Sequence, residues 1–375
     1  MRRLFKGFGF VCVLAVAAAA PPPEVEEEAR KRAYRAREAV RLLGDPEYRT
    51  REAATQELRE LGEDALPSLR EATQSQDAEV RHRAHGLLVA VLKAAGKSKS
   101  TGLVMSVVLA HEFEMGSPKG ERQRQPDETL HPARLTRAFL IGTYEVRQDE
   151  YRKVMKANPS WFAFSGGGAD KVKGRDTGPF PVEQVSWFDA LEFCNRLSEL
   201  DGFKPYYKLT HVKADKTGSI TDATVTVLGG TGYRLPTEAE WEGACRSWTI
   251  TPWHHGRTSG RADMNAKLLL PGGGYSGPEE YHLGRTERVG SFKANRRGMY
   301  DAHGNVGEWC WNWYGADYYE KAPADDPKGP DKGTHRVVRG GSWLVSDLSG
   351  RSASRGALVP GERSYTVGFR VARTP

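Results

Sequence analysis

The sequence predicts an α+β protein, in which a small α-helical region precedes a larger body with little regular secondary structure. Apolar residues recur at helical spacing between about residues 24 and 96. The polar segment 97–102 has the composition of a linker. Residues 103–375 then hold short apolar stretches between turns rich in Gly and Trp. Such a pattern indicates short strands with a few helices.

The first 20 residues have the pattern of a secretory signal. Three basic residues precede an apolar run from about Phe8 to Val16, and four alanines follow. The run is shorter than the roughly 20 residues that a bilayer-spanning helix needs. We therefore expect an exported protein, which is periplasmic, secreted or held at the cell surface. An uncleaved membrane anchor is the alternative, because Pro21 would be an awkward first mature residue.

The charge balance of the chain does not favour binding to nucleic acid. The net charge is +7, and roughly +4 would remain after removal of the signal segment. This excess is dispersed, and no basic stripe with interleaved aromatic residues is present. We therefore expect no nucleic-acid partner, and a membrane partner only if the signal segment stays uncleaved.

Residues 24–96 are predicted to form helices. An acid followed by proline, Asp45-Pro46, is a typical helix start, and Gly62 is a typical stop. Asp77 is a second start. The Leu-Gly and Leu-Pro punctuation is similar to that of HEAT-like repeats, although only one and a half to two repeats fit. We interpret the region as a spacer that packs on the main domain, and a partner-binding arm is the alternative.

Several elements of the body can be predicted from local patterns. Residues 136–144 suggest a strand, and a helix begins near Gln148. Ser186 caps a helix that runs to Leu200, and Thr237 with Glu240 has the spacing of a capping box. Two alternating stretches, 206–209 and 223–228, predict a surface hairpin. The inner face of the helix after Ser186 is formed by Ala190, Phe193, Cys194 and Leu197.

Cysteine usage is unusual for an exported protein. Cys12 lies in the signal segment, which leaves Cys194, Cys245 and Cys310, an odd number. Cys194 and Cys245 are either buried thiols, which behave as small apolar groups, or each other's disulfide partner. Cys310 lies between two tryptophans, so we expect it to be packed rather than reactive, because thiolates form in polar, electropositive surroundings.

The body carries a series of rare strings in a fixed order. They are Glu114-Met-Gly-Ser117, Tyr144-Glu-Val146, Pro181-Val182, Val185-Ser-Trp187, Tyr233-Arg-Leu-Pro-Thr-Glu-Ala-Glu-Trp-Glu242, Gly304-Asn-Val-Gly-Glu-Trp309, Arg339-Gly-Gly-Ser-Trp343 and Gly368-Phe-Arg-Val371. With them the chain resembles the formylglycine-generating enzyme (sulfatase-modifying factor) family between about Leu103 and Thr374. The resemblance implies that family's α+β, C-type-lectin-related fold. Most of these residues are then architectural, with Gly340 and Gly341 in tight backbone geometry and tryptophans filling the core.

The resemblance also defines a departure from the family. Its oxidases convert the cysteine of a sulfatase Cys-x-Pro-x-Arg sequence to formylglycine, and two cysteines just after Gly-Gly-Ser bind copper(I). Here no cysteine occurs from Trp311 to Pro375, and Val345 stands where the first would be expected. Copper(I) needs soft thiolate ligands, so the residues do not favour a copper site. The family's disulfide partners for Cys194 and Cys245 would lie near Ser352 and at Val371, and both are absent.

A structural calcium ion is the cofactor that the resemblance implies. Its ligands would be the side chains of Asp301 and Glu308 and the carbonyl oxygens of Gly304 and Val306. Oxygen ligands of both kinds suit calcium. The alternative is that both carboxylates accept backbone hydrogen bonds and bind no ion. A second family calcium site near Asn265 is not assigned, because the sequence there departs from the pattern.

Other sites of chemistry are not supported by the pattern. His254-His255 and His303 lack a Cys, Asp or Glu at the spacing of a metal site, so we interpret them as surface or structural histidines. The Gly-Gly-Gly runs at 166–168 and 272–274 lack the Lys-Ser/Thr of a phosphate-binding loop. They read as flexible loops.

The favoured function is a non-catalytic, exported binding or assembly module, a pseudoenzyme whose ligand is an unknown protein, peptide or small molecule. The ligand could bind to the loops 166–174 and 271–277. It could instead bind in a groove lined by Trp343, Arg351 and Arg355, in which the tryptophan ring would stack on the ligand and the two guanidinium groups would donate hydrogen bonds. Structural, salt-bridged arginines are the alternative. A second hypothesis is that the same scaffold carries another activity, as in family members that take part in ergothioneine synthesis or pyoverdine maturation. A formylglycine-generating oxidase is the third.

Overall fold

The computed structural model describes residues 23–268 and 283–375, which divide into two units between Leu88 and Val89. The predicted signal segment and the loop 271–277 lie outside the described residues. No described helix combines the length and the apolar character needed to cross a bilayer. The α+β class and the helical N-terminal region are confirmed.

The first unit is helical. Its helices are α1 (Pro23–Arg41), α2 (Tyr48–Leu61), α3 (Leu66–Ala72) and α4 (Ala78–Ala95), the last of which runs across the division. The Asp77 carboxylate caps α4 by accepting from the backbone N–H of Glu79 at 2.8 Å, and Gly62 ends α2 at φ +58°, both as predicted. Asp45 instead accepts from the N–H of Glu47, so α2 begins two residues after Pro46.

The segment 97–102 is a hydrogen-bonded turn rather than the free linker that its composition suggests. The N–H of Ser98 donates to the carbonyl of Leu103 at 2.8 Å, and that of Met105 donates to Gly96 at 2.7 Å. The N–H of Ser100 donates to the Asp201 carboxylate at 2.8 Å. Small polar residues serve tight turns as well as linkers, and composition alone does not separate the two.

The second unit combines three helices with short strands in four sheets. Its helices are α5 (Gln148–Met155), α6 (Trp187–Leu200) and α7 (Glu238–Arg246). One sheet has the order β1-β4-β12-β7 and another the order β10-β9-β8-β11; β2 with β3 and β5 with β6 form two-stranded sheets. The strands are β1 (Met105–Val108), β2 (His111–Met115), β3 (His131–Leu135), β4 (Phe139–Gly142), β5 (Tyr207–Ala214), β6 (Ile220–Val227), β7 (Tyr233–Arg234), β8 (Gly307–Trp313), β9 (Arg336–Arg339), β10 (Gly356–Leu358), β11 (Val367–Gly368) and β12 (Ala372–Arg373).

The predicted helix starts of this unit are confirmed. The Ser186 hydroxyl accepts from the N–H of Asp189 at 3.0 Å at the start of α6. The Thr237 hydroxyl accepts from the N–H of Glu240 at 3.2 Å at the start of α7. The predicted hairpin also forms, with both strands longer than the sequence suggested, whereas the strand predicted at 136–144 is confined to β4.

Buried tryptophans form the centre of the second unit. Trp187, Trp241 and Trp309 are fully buried, and each indole N–H donates a hydrogen bond. Their acceptors are the carbonyl of Cys310 at 2.9 Å, the Glu308 carboxylate at 2.7 Å and the carbonyl of Val185 at 3.0 Å. The motif tryptophans are therefore architectural, as the sequence predicted.

Candidate functional site

A cavity of about 430 Å³ lies beside the end of β9. The Gly-Gly-Ser motif forms one side of it and the segment after Leu348 forms another. Its wall is formed by Gln123, Gln125, Gly307, Val338, Gly341, Ser342, Val345, Ser346, Leu348, Ser349, Arg351, Ser354, Arg355, Gly356, Thr366 and Val367. The groove predicted between the Gly-Gly-Ser-Trp and 351–355 segments thus exists as a cavity.

The glycine pair shapes this wall through its backbone. Gly340 and Gly341 have φ of +92° and +70°, a region that residues with a Cβ rarely adopt. A Cβ on Gly341 would lie 2.9 Å from the backbone nitrogen of Gly350. Glycine at this position therefore allows the end of β9 to approach the turn at 347–350 closely.

Arg351 reaches the cavity wall but is not a free cation. Its guanidinium contacts Glu121 at 2.5 Å and Glu128 at 2.7 Å, and all three side chains are buried. Burial raises the pKa of Glu128, but Arg351, with help from Ser117 and Arg339, lowers it, and the net pKa lies below the ordinary value. Arg351 is therefore a salt-bridged structural arginine, which is the alternative predicted from the sequence.

Arg355 is also held by a carboxylate. Its Nε and Nη2 atoms donate to the two oxygens of Glu238 at 2.8 and 3.0 Å. The same carboxylate lies 3.1 Å from Arg339. Although Arg355 lines the cavity, its charge is neutralised within the protein.

Trp343 does not line the cavity, which corrects the prediction for this residue. Its ring packs edge-on against Phe162 with 5.3 Å between centroids, and its indole N–H donates to the carbonyl of Tyr365 at 3.2 Å. The strand-to-loop turn after Gly341 directs this side chain into a small apolar cluster with Phe180 and Val172. Any stacking role for Trp343 would require it to leave that cluster.

The cavity wall is neutral and mixed in polarity. Serine, threonine and glutamine side chains supply donors and acceptors, and Val338, Val345, Leu348 and Val367 supply apolar surface. No cysteine belongs to the lining residues that the structure describes. Sequence reasoning missed Gln123 and Gln125, and also the carboxylates Glu121 and Glu128, because they come from a loop more than 200 residues away in sequence.

The three cysteines of the body are free thiols, so the predicted alternative of a Cys194–Cys245 disulfide does not form. All three are fully buried. Burial raises the pKa of Cys245 to about 12 and that of Cys310 well above its ordinary value. The Cys245 Sγ lies 3.7 Å from the Ser352 Oγ, where the family resemblance placed a disulfide partner.

The predicted calcium ligands lie in a buried charged cluster. Asp301 has φ +55°, and its Oδ1 atom is buried with no hydrogen-bond partner among the described residues. An orphaned carboxylate oxygen fits a hard cation. Glu308 differs, because both its oxygens are bound by Arg370 and one also accepts from Trp241. A calcium ion held by Asp301, Gly304, Val306 and Glu308 would therefore share Glu308 with Arg370.

Glu145 joins this cluster, which the sequence did not predict. Its carboxylate accepts from the amide of Asn305 at 3.0 Å and from the N–H of Val306 at 3.3 Å. Burial raises its pKa well above the ordinary value, and the charges of Asp301 and Glu308 raise it further. The only available signal was its place in the Tyr-Glu-Val string.

The structure brings together the three histidines that the sequence suggests are surface or structural residues, and their spacing along the chain did not predict this proximity. Ring nitrogens of His254, His255 and His303 all lie within 4.8 Å of one another. His303 is buried and the other two are half-buried. His303 contacts the carbonyl oxygen of Gly350 in the turn 347–350, whose residues Leu348 and Ser349 border the cavity.

Comparisons with known proteins agree on one family. The family described as sulfatase-modifying factor enzyme 1-like domain matches residues 92–375. "Chaperone protein LppX" of Paenibacillus barcinonensis is 32% identical over 298 residues, which cover 76% of this chain and 95% of that protein. A formylglycine-generating enzyme of Thermomonospora curvata is 36% identical over 277 residues, 67% of this chain and 87% of the relative. The solved structure of Treponema denticola variable protein 1 superposes with a TM-score of 0.57 at 30% identity, covering 74% of this chain and 98% of its own.

Proposed function

Because the chain belongs to the sulfatase-modifying factor enzyme 1-like family, we propose that it uses that scaffold to bind polypeptide and not to oxidise cysteine. The neutral cavity beside β9 is the observation that carries this proposal. It lies where the family resemblance places the oxidase cysteines, yet Val345 is part of the wall and none of the described lining residues carries a thiol. A copper(I) ion would find no thiolate ligand there.

The wall suits an uncharged, extended peptide better than an anion or a cation. Its two arginines are neutralised by Glu121, Glu128 and Glu238. The remaining side chains offer hydroxyl and amide groups beside aliphatic surface. Peptide backbone groups need such donors and acceptors, and apolar side chains need the aliphatic positions.

The strand β10 offers a second feature for peptide binding. It is the last strand of its sheet and pairs only with β9 within the described residues. Its first residue, Gly356, belongs to the cavity wall. An edge strand presents backbone N–H and carbonyl groups to which an extended peptide can add. A peptide running along β10 would enter the cavity at Gly356.

The relatives are consistent with a binding role without requiring it. One similar protein, matched over 95% of its length, carries the name of a chaperone. Another, matched over 87%, is a formylglycine-generating enzyme. The family therefore contains named functions of both kinds, and the cavity wall is what favours binding. Export, predicted from residues 1–20, is part of the proposal because an extracytoplasmic binding module needs a route to its partners.

The test uses an array of overlapping 15-residue peptides that covers unfolded α-lactalbumin. Bound peptides are then measured in solution by fluorescence anisotropy. Two variants form a matched pair: Val345→Trp fills the cavity, and Val227→Trp adds the same bulk on β6, away from both the cavity wall and β10. The two valines are 37% and 45% exposed, so both substitutions should be tolerated alike.

We expect micromolar binding of a subset of peptides, at least tenfold weaker binding by Val345→Trp, and unchanged binding by Val227→Trp. Absence of binding, or equal binding by the two variants, would contradict the proposal. The masses of the bound peptides are also measured by mass spectrometry after incubation. A change of mass would contradict a purely binding role and favour another activity on this scaffold.

A further inference from the structure

Three histidines from two distant stretches of sequence form one cluster. The ring of His254 stacks on that of His303 with 4.8 Å between centroids. The ring of His255 stands edge-on to both, at 5.1 and 5.6 Å. Each offers a ring nitrogen within 4.8 Å of the others, and such a group of three side chains could hold a metal ion.

The tautomer of His303 is fixed by its surroundings. Its Nδ1 atom lies 2.6 Å from the carbonyl oxygen of Gly350. A carbonyl only accepts, so Nδ1 carries the proton and Nε2 presents its lone pair to the cluster. Histidines that bind metals are commonly oriented by a backbone carbonyl in this way. Nε2 accepts from the backbone N–H of His254 at 3.0 Å and lies 3.8 Å from the Cys245 Sγ. A metal ion would replace the hydrogen bond from His254.

The ring nitrogens of His255 lack hydrogen-bond partners among the described residues. Both nitrogens are also screened from solvent. Burying a polar group without a partner is unfavourable. A bound ion at the centre of the cluster would satisfy one nitrogen of this ring.

The charged groups around the cluster act on the pKa values of its imidazoles in opposite directions. Burial lowers the pKa of all three, to about 4 for His254. Asp263 opposes this effect at His254 and His255, whereas Lys293 adds to it at His255 and Arg246 adds to it at His303. Cys245 also faces the site, with its Sγ 3.8 Å from the His303 Nε2.

We propose that His254, His255 and His303 bind one divalent transition-metal ion, and that the ion is zinc. Three histidines with a fourth position left for water or another ligand form a known zinc arrangement. The absence of a carboxylate among the three makes calcium and magnesium poor occupants. Nitrogens within 4.8 Å of one another lie at most about 2.8 Å from a common centre, so shifts of roughly 0.7 Å each would reach the usual Zn–N distance.

The experiment uses the full chain, free of any affinity tag and stripped of metal, titrated with Co²⁺ and then with competing Zn²⁺. Cobalt replaces zinc and its visible absorption reports the coordination of the ion. We expect one equivalent to bind with the bands of a four- or five-coordinate site, and Zn²⁺ to displace it. His255→Ala should weaken binding at least tenfold. The exposed His335 supplies the matched control, because His335→Ala should leave binding unchanged.

A second variant tests the ligand set independently of stability. His255→Cys replaces a nitrogen ligand with sulfur and should add a thiolate-to-cobalt charge-transfer band in the near ultraviolet. A purely structural role for His255 would not produce this band. The proposal is overturned if the parent binds no stoichiometric Co²⁺, if His255→Ala binds as tightly as the parent, or if His255→Cys leaves the spectrum unchanged.

Discussion

The sequence leaves two roles open for Arg351 and Arg355, which could bind a ligand or form structural salt bridges. The structure pairs both with buried carboxylates and so agrees with the second role. A buried charge needs a partner, and this requirement can be read from the sequence only when the partner is near. Glu128 lies 223 residues away from Arg351 along the chain. The pairing was therefore beyond any local pattern.

Removing Arg351 is expected to destabilise the second unit strongly. Arg351→Met leaves Glu121 and Glu128 buried without their cation, and breaking a buried pair on one side costs about 3–5 kcal/mol. All nine tryptophans lie in the second unit, so urea unfolding followed by tryptophan fluorescence reports this loss. Arg134→Met is the control. Arg134 also pairs with a carboxylate, Asp325, but both are half-exposed, so little change is expected. Equal effects of the two variants would contradict the assignment.

The difference in unfolding free energy between the parent protein and Arg351→Met should also depend on pH. The pKa of Glu128 is lowered in the folded protein, so its contribution to stability is present above its ordinary pKa of 4.5 and is lost as the pH falls through the lowered value. Arg351→Met lacks this contribution. The difference in unfolding free energy between parent and variant should therefore be largest above pH 4.5 and become smaller below it. A difference that grows on acidification would contradict the account.

At the scale of elements, helix starts could be predicted from local sequence, whereas short strands that form by pairing with distant parts of the chain could not. The starts of α4, α6 and α7 were correct because a capping side chain lies within three residues of the groups that it satisfies. Strands such as β7, β11 and β12 contain two residues each and exist through pairing with distant chain. No period-2 pattern can develop in two residues, so these strands were not predicted.

The glycine pair after β9 gives an element-scale prediction. Gly341→Ala combines a positive φ with a backbone clash, whereas Gly202→Ala, at φ +84°, has nothing within 4 Å of the added Cβ. The positive φ should cost roughly 1–2 kcal/mol in each variant. The clash should add about 1–3 kcal/mol for Gly341→Ala only, and peptide binding in the cavity should fall with it. Equal unfolding free energies for the two variants would show that close packing at Gly341 is not required.

At the scale of the whole molecule, the sequence predicted the fold family and the location of the cavity, but not its composition. The motif strings identify the scaffold, and the segments 339–343 and 351–355 do form two sides of the cavity. The contributions of Gln123 and Gln125, and the meeting of His303 with His254 and His255, depend on the packing of separate loops. Such convergence follows from the tertiary structure and leaves no spacing rule in the sequence.

Calcium remains a prediction with a direct test. If an ion binds through Asp301, Gly304, Val306 and Glu308, it stabilises the folded state by mass action. A calcium-selective chelator should then lower the melting temperature, and added calcium should restore it. Asp301→Asn, which keeps one oxygen but removes the charge, should weaken this response. A melting temperature that the chelator leaves unchanged, together with no calcium in the purified protein, would contradict the prediction.

The central claim is that this family scaffold binds polypeptide without oxidising cysteine, and one measurement tests it most directly. The purified chain is incubated with copper(I), oxygen, a thiol reductant and a peptide that carries the Cys-x-Pro-x-Arg sequence, and the peptide is weighed by mass spectrometry. A genuine formylglycine-generating oxidase serves as the positive control. We expect the peptide mass to stay unchanged with this protein while the control converts it. Loss of the cysteine thiol with appearance of an aldehyde would contradict the account.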